Sequence, residues 1–97
     1  MARQSKHDIV DEIAQLLHVA TPRMSTGSTE PKELFRVVND RLGLGISDRV
    51  TKPEMARAIV EASGAAWSPT YESRGGTVTL DGLLAVRAAV NFFLGGG

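Results

Sequence analysis

Apolar residues recur every three or four positions in four separate stretches of the chain, which is the spacing of one face of an α-helix. We therefore predict four amphipathic helices, the first running from about residue 6 to residue 18. Each must pack its apolar stripe against other elements. The stripes are Ile9, Ile13, Leu16, Leu17 and Ala20; then Leu34, Phe35, Val38 and Leu42; then Met55, Ala58, Ile59 and Ala62; and finally Leu83, Val86, Ala89, Val90, Phe93 and Leu94.

Polar residues that can cap a helix precede each stripe. Ser5 is followed three residues later by an acid, Thr29 or Glu30 precedes the second stripe, and Thr79 precedes the fourth. The strongest signal is Thr51-Lys52-Pro53-Glu54, which combines a hydroxyl cap, a proline in the first turn and a glutamate three residues after the cap. The sequence therefore predicts that the third helix starts at this point.

Glycines and small polar residues separate the predicted helices. Thr21 to Glu30 forms a polar loop, and Ser63-Gly64 ends the third helix. Gly43 and Gly45 end the second helix, because glycine adopts the left-handed conformation common after a helix terminus. The connection that follows, up to Val50, is longer than the turn of about 3–4 residues in a minimal helix-turn-helix motif. A winged variant with a looser turn fits this spacing better.

The pattern changes from helical to strand-like between residues 65 and 80. Trp67 and Tyr71 are aromatic members of one predicted strand, and Thr77-Val78-Thr79 are β-branched members of another. Arg74-Gly75-Gly76 between them can form the tight turn of a hairpin. The predicted fold is therefore mainly α, with four helices and one short β-hairpin, in a winged helix-turn-helix-like arrangement.

Two interpretations of Trp67 and Tyr71 are open at this point. Their rings can form a platform on which unpaired bases stack, as in single-strand binding proteins. They can also bury their rings against the third and fourth helices, which is the interpretation we favour for aromatic residues beside a helical core.

Length and composition indicate a single small domain. The 97 residues are 42% apolar and 23% charged, as expected of a globular protein, and one core fits this length. No apolar leader or membrane-spanning run occurs, and the absence of cysteine suits a cytoplasmic protein. The glycines at 95–97 are also consistent with a terminal domain excised from a larger protein.

Charge does not by itself indicate nucleic-acid binding, because eleven basic residues balance eleven acidic ones. A neutral total can nevertheless contain a local basic stripe. Asp8, Asp11 and Glu12 are together in the first helix, whereas the part of the chain predicted to bind, from residue 41 to residue 74, carries a series of cations. Those cations are Arg41, Arg49, Lys52, Arg57 and Arg74. The alternative is a solvated surface of mixed sign.

The residues that could support catalysis or bind a metal do not form a convincing set. His7 and His18 are about three helical turns apart, a separation of more than ~15 Å, so they cannot share one ion. Ser25, Thr26 and Ser28 lack a nucleophile elbow, and no glycine-rich phosphate loop occurs. We therefore predict no catalytic residues, no metal and no cofactor, and a protein that is not an enzyme by itself.

Recognition of a DNA groove remains as the leading hypothesis. The start of the third helix would face base edges, and an arginine at the hairpin tip would contact a phosphate or the neighbouring groove. The predicted DNA-binding residues are Arg49, Thr51, Lys52, Glu54, Arg57, Arg74 and Thr77. Equally, Lys52 and Arg57 can be merely solvated, and Arg74 exposed because turns are exposed.

The order of these elements resembles the small helical or winged-helix domains at the ends of bacterial restriction endonucleases and related anti-phage proteins. The resemblance is carried by Thr51 to Arg57, by Trp67, by Ser73 to Thr79 and by the final helix. It implies a DNA-recognition or accessory module whose nuclease lies elsewhere in a longer protein, with duplex DNA as partner. The alternative is a protein-interaction or dimerisation module, which the neutral charge and the apolar Phe92-Phe93-Leu94 end would suit.

Overall fold

The computed structural model describes residues 5–20, 31–47, 49–74 and 76–96, and four α-helices account for most of this part of the chain. The predicted polar loop at 21–30 lies outside the described residues. One turn of 3-10 helix precedes the last α-helix, and a π-helical turn follows it. The elements are α1 (Lys6–Leu16), α2 (Pro31–Leu42), α3 (Lys52–Ala62), the 3-10 turn Pro69–Tyr71, α4 (Leu80–Asn91) and the π-helical turn Phe92–Gly96.

The predicted helix starts are confirmed where the structure describes them. The Ser5 hydroxyl accepts a hydrogen bond from the amide of Asp8, and the Asp8 carboxylate accepts one from the amide of Ser5. Thr51 caps α3 by accepting from the amide of Glu54, and Thr79 caps α4 in the same way. Each cap satisfies an amide that has no partner inside its own helix.

The apolar stripes of the four helices meet in one core. α4 packs against α1 and α3, and α2 packs against α3 and α1. The predicted stripe residues that are fully buried include Ile9, Ile13, Leu34, Phe35 and Val38 from the first two helices, and Met55, Ile59, Leu83, Val86 and Val90 from the last two. The mainly helical fold with four helices is therefore confirmed.

The predicted two-stranded hairpin is not formed: the described residues contain no β-sheet, and a single antiparallel bridge joins Glu72 to Val78. The first predicted strand is replaced by the turn Pro69–Tyr71, whose start is capped by the Ser68 side chain. A proline provides no amide for a strand ladder but fits the first turn of a helix, which explains the change.

The favoured interpretation of Trp67 and Tyr71 agrees with the packing in part. Trp67 is half-buried and packs on the edge of the core, and its ring meets that of Tyr71 edge to face, with centroids 5.1 Å apart. A ring engaged in this way offers less of its face to an unpaired base. The pair therefore lies at the edge of the core, with the 3-10 turn packed against α4, and is not a free stacking platform.

Gly82 allows the chain before α4 to lie directly on that helix. A Cβ atom at this position would overlap the carbonyl oxygen of Tyr71 and a methyl group of Val78. The glycine is therefore required for close contact between the first turn of α4 and the segment joining the 3-10 turn to it.

We expect Gly82→Ala to lower the free energy of unfolding by about 1–3 kcal/mol, because the added methyl group meets main-chain atoms that cannot rotate away. Urea denaturation followed by circular dichroism measures the change. An exposed helical glycine replaced by alanine would instead stabilise the protein by up to about 1 kcal/mol. A stabilised Gly82→Ala protein would therefore contradict the close packing.

Candidate nucleic-acid interface

Three concave surfaces can be compared on the described part of the molecule. The first, of about 470 Å³, lies between α1 and α4 around the ion pair of Arg87 and Glu12, whose atoms are 2.6 Å apart. The second, of about 300 Å³, is lined mainly by alanines and has Tyr71 and Phe92 at its margin. The third is the one in which cations from different elements converge.

The third surface, which we name the cationic groove, has a volume of about 300 Å³ and is lined by Lys32, Glu33, Arg36 and Lys52. Three cations and one carboxylate give this lining an excess of positive charge. Two of its cations come from α2 and one from α3. A chain with no net charge thus has a local concentration of positive charge at the junction of two helices.

The two α2 cations share one side of their helix for a simple reason. Lys32 and Arg36 are four residues apart, so their side chains project from neighbouring turns of the same face. Leu34, Phe35 and Val38 occupy the opposite, buried face. The amphipathic pattern of α2 therefore holds both cations at the surface.

Lys52 reaches the same place because the connection between α2 and α3 returns along α2. At a rise of about 1.5 Å per residue, the 12 residues of α2 are about 18 Å long, and the chain must retrace most of this distance to bring Lys52 beside Lys32. The connection is therefore an extended return, and it differs from the sharp turn of a minimal helix-turn-helix.

A side-chain amide fixes this return. Asn39 donates a hydrogen bond to the carbonyl oxygen of Ile46 at 2.8 Å and accepts one from the amide of Ile46 at 2.9 Å. Gly43 and Gly45, both with positive φ angles, let the chain reverse before this point. The two hydrogen bonds satisfy both main-chain groups of a loop residue that no helix or strand would otherwise pair.

The first turns of α2 and α3 both contribute to the cationic groove, and Glu33 is the acidic member of its lining. Its carboxylate lies 3.1 Å from the guanidinium of Arg36, and each side chain is a little under half exposed. An ion pair this exposed is weak, of about 0.2–1 kcal/mol, because water screens it. Arg36 can therefore exchange Glu33 for another anion at low cost.

Of the predicted DNA-binding residues, only Lys52 is among the described residues that line this groove. Thr51 and Glu54 lie within two residues of Lys52 in sequence and are exposed, but the Thr51 hydroxyl already accepts a hydrogen bond from the amide of Glu54 at 3.4 Å. Thr51 therefore serves first as a helix cap. Arg49 is exposed, and its amide donates to the side chain of Ser47.

Arg57 lies one turn further along α3, where it forms an ion pair with Glu61 at 3.3 Å on the exposed face of the helix. This is a pairing between residues four apart, and it is separate from the groove lining that the structure describes. The predicted interface residues on α3 therefore fall into two places: Lys52 lines the groove at the start of the helix, and Arg57 pairs with Glu61 further along it.

Arg74 and Thr77 lie in the segment between the bridged residues Glu72 and Val78. Arg74 is exposed. Thr77 is half-buried, and its hydroxyl is 2.6 Å from that of Ser73, while its carbonyl oxygen accepts the amide of Ser73. Thr77 thus closes the turn, and its hydroxyl is already engaged within the chain. Neither residue is among the described ones that line the cationic groove.

The sequence pattern did not identify Lys32 or Arg36 as site residues. Their spacing of four on the polar face of α2 was a signal, but their proximity to Lys52 depends on the path of the intervening loop. Among the described residues no three His, Asp or Glu side chains are grouped so that they could hold a metal ion. No helix in the described part of the chain is long and apolar enough to cross a membrane.

The chain matches no known protein-family model, no curated protein and no solved structure.

We expect Asn39→Ala to destabilise the protein by about 1–3 kcal/mol, because it leaves the two main-chain groups of Ile46 without their hydrogen-bond partners. Urea denaturation measures the change, and hydrogen exchange at the Ile46 amide should become faster. Asp40→Ala is the matched control, since Asp40 is the exposed neighbour on the same helix. Equal destabilisation in the two variants would mean that the Asn39 amide does not hold the loop.

Proposed function

We propose that the chain is a non-enzymatic module that binds duplex DNA through the cationic groove at the start of α3. The observation that supports this function is the convergence of Lys32, Arg36 and Lys52 on one concave surface. These are the side-chain types that contact DNA phosphates, and phosphate contacts fix the orientation of a protein on a duplex.

The geometry of the groove suits a phosphate backbone better than a small isolated anion. Its cations are long, partly exposed side chains on two neighbouring helices, and its lining includes a carboxylate. An isolated cation near water interacts with an anion by only about 1 kcal/mol at 4 Å. Several such interactions along a polyanion add up, and the release of its counterions makes their sum strongly dependent on salt.

We propose that α3 is the element that approaches the DNA bases. Its first residue lies in the groove, and Glu54 and Arg57 are exposed on its outer side. A helix held at its start by phosphate contacts presents its first turns to the major groove. In this arrangement the exposed Arg49 contributes a further phosphate contact, and Arg74 contributes a separate phosphate or minor-groove contact from the turn before α4.

The resemblance to terminal domains of bacterial restriction endonucleases is compatible with this function. We propose that the module recognises DNA, or assists its recognition, for a nuclease carried elsewhere, in a cytoplasmic defence system. We propose that the turn between the bridged residues Glu72 and Val78 serves in place of a wing, although it does not form two strands.

Replacing the groove cations should weaken DNA binding in a way that depends on salt. We expect Lys52→Gln and Arg36→Gln each to weaken binding to a duplex of mixed sequence several-fold. Each should also lower the slope of log Kd against log salt by about 0.9 for every phosphate that the variant no longer neutralises. Fluorescence anisotropy at several salt concentrations measures both quantities.

Arg41→Gln and Lys6→Gln are the matched controls, because they change the net charge equally. Arg41 lies in the last turn of α2, five residues beyond Arg36 and outside the described groove lining, and Lys6 lies in α1. Equal weakening in groove and control variants would show that net charge alone governs binding. A wild-type chain that binds no DNA at low salt would refute the proposed function.

The outer positions can be tested separately from the groove. We expect Arg57→Ala and Arg74→Ala each to cost on the order of 1 kcal/mol or more in binding. Unchanged affinity in both variants, with weaker binding on replacement of Lys52 and Arg36, would restrict the interface to the cationic groove.

A second candidate function is dimerisation, which the exposed end of α4 favours. Phe92 is 54% exposed and Leu94 is 49% exposed, next to the concave surface lined by alanines. A second copy of the chain could bury these side chains. We expect Phe92→Ser to abolish a dimer seen by sedimentation, whereas the exposed Asn91→Ser should retain it. A monomeric wild-type chain at high concentration would refute this candidate.

A further inference from the structure

We infer that Glu33 limits the affinity of the cationic groove for DNA by competing with a backbone phosphate for Arg36. This inference rests on the proposed function, and it adds an internal competitor to the site. Glu33 would thereby keep a module with a cationic groove from binding polyanions tightly wherever it meets them.

The geometry that supports this role is local. Glu33 is the only acid among the described residues that line the groove, and its carboxylate oxygen receives a hydrogen bond from the Arg36 guanidinium at 3.1 Å. A phosphate oxygen that approached Arg36 would require the same guanidinium donors. The two anions would also repel each other at this distance if both remained.

Glu33 and a DNA phosphate can compete for Arg36 on similar terms because the ion pair between Glu33 and Arg36 is exposed to water. The side chain of Arg36 is 44% exposed and that of Glu33 is 49% exposed, so burial does not hold either side chain in the ion pair. When a phosphate binds, Glu33 can rotate into water and leave Arg36 to the ligand. Breaking this weak surface pair then lowers the affinity for the phosphate without preventing its binding.

Glu33 also has a structural reason to be present. It lies in the first turn of α2, where a negative charge interacts favourably with the helix dipole. A change at this position therefore combines an effect on stability with an effect on binding. The two effects can be separated, because helix stability does not determine how DNA affinity varies with salt.

The test compares Glu33→Gln with Glu61→Gln. Both replacements remove one negative charge from the same type of exposed helical surface. Because Glu61 pairs with Arg57, which is itself proposed to meet DNA, both replacements are made in an Arg57→Ala background, where Glu61→Gln changes only the net charge. Anisotropy titrations with a duplex of mixed sequence at low and high salt provide the measurement, and a circular dichroism melt confirms that each variant is folded.

We expect Glu33→Gln to tighten DNA binding by about two- to fivefold at low salt, an increase that should shrink as salt rises. Glu61→Gln should tighten it less. In an Arg36→Gln background, the tightening by Glu33→Gln should largely disappear, because no guanidinium remains to be released.

The remaining outcomes distinguish a failure of the inference from a failure of the proposed function. If wild type binds DNA and Glu33→Gln binds no more tightly than Glu61→Gln, the inference is overturned while the proposed function stands. If the tightening by Glu33→Gln persists without Arg36, repulsion between the Glu33 carboxylate and the DNA phosphates explains it without competition for Arg36. The inference is then again overturned. If neither wild type nor Glu33→Gln binds DNA, both the inference and the proposed function are overturned.

Discussion

The pair of hydrogen bonds between the Asn39 side chain and the main chain of Ile46 is the interaction on which the candidate site depends. The caps of α1, α3 and α4 and the apolar stripes of all four helices specify the individual helices, but neither feature fixes how α2 and α3 lie relative to each other at their starts. The amide holds the connection against α2 and directs it back along the helix. Without that return, Lys52 would begin α3 far from Lys32 and Arg36, and the three cations would not share a surface.

Features set by near neighbours in sequence could be predicted, and features set by distant ones could not. The cap of α3 at Thr51 and the stripe of α4 involve residues within a few positions of each other, so composition and spacing were sufficient. The hairpin was wrong because β-branched residues favour a strand only when a partner strand is available. Here Pro69 and the close packing of Gly82 against Tyr71 favour a 3-10 turn and a single bridge.

The candidate site also combines features set by near neighbours in sequence with features set by distant ones. Lys52 could be predicted because it follows a helix cap, whereas Lys32 and Arg36 belong to it only because two separate elements pack together. Thr51 and Thr77 are hydroxyls that can bind phosphate in principle, but both are engaged in capping or closing their own segments. A polar residue beside a terminus or turn therefore needs its local hydrogen bonds assigned before a ligand is assigned to it.

Zero net charge and the DNA binding proposed for the cationic groove are compatible because screening makes charge a local property. At a Debye length of about 8 Å in physiological salt, a phosphate in the groove responds mainly to the groove lining and little to acids on distant surfaces. Glu12, for example, is engaged with Arg87 between α1 and α4. Three cations and one carboxylate can orient a duplex but provide little discrimination between sequences. In the proposed complex, sequence specificity would therefore come from the exposed side of α3, where Glu54 and Arg57 would meet base edges.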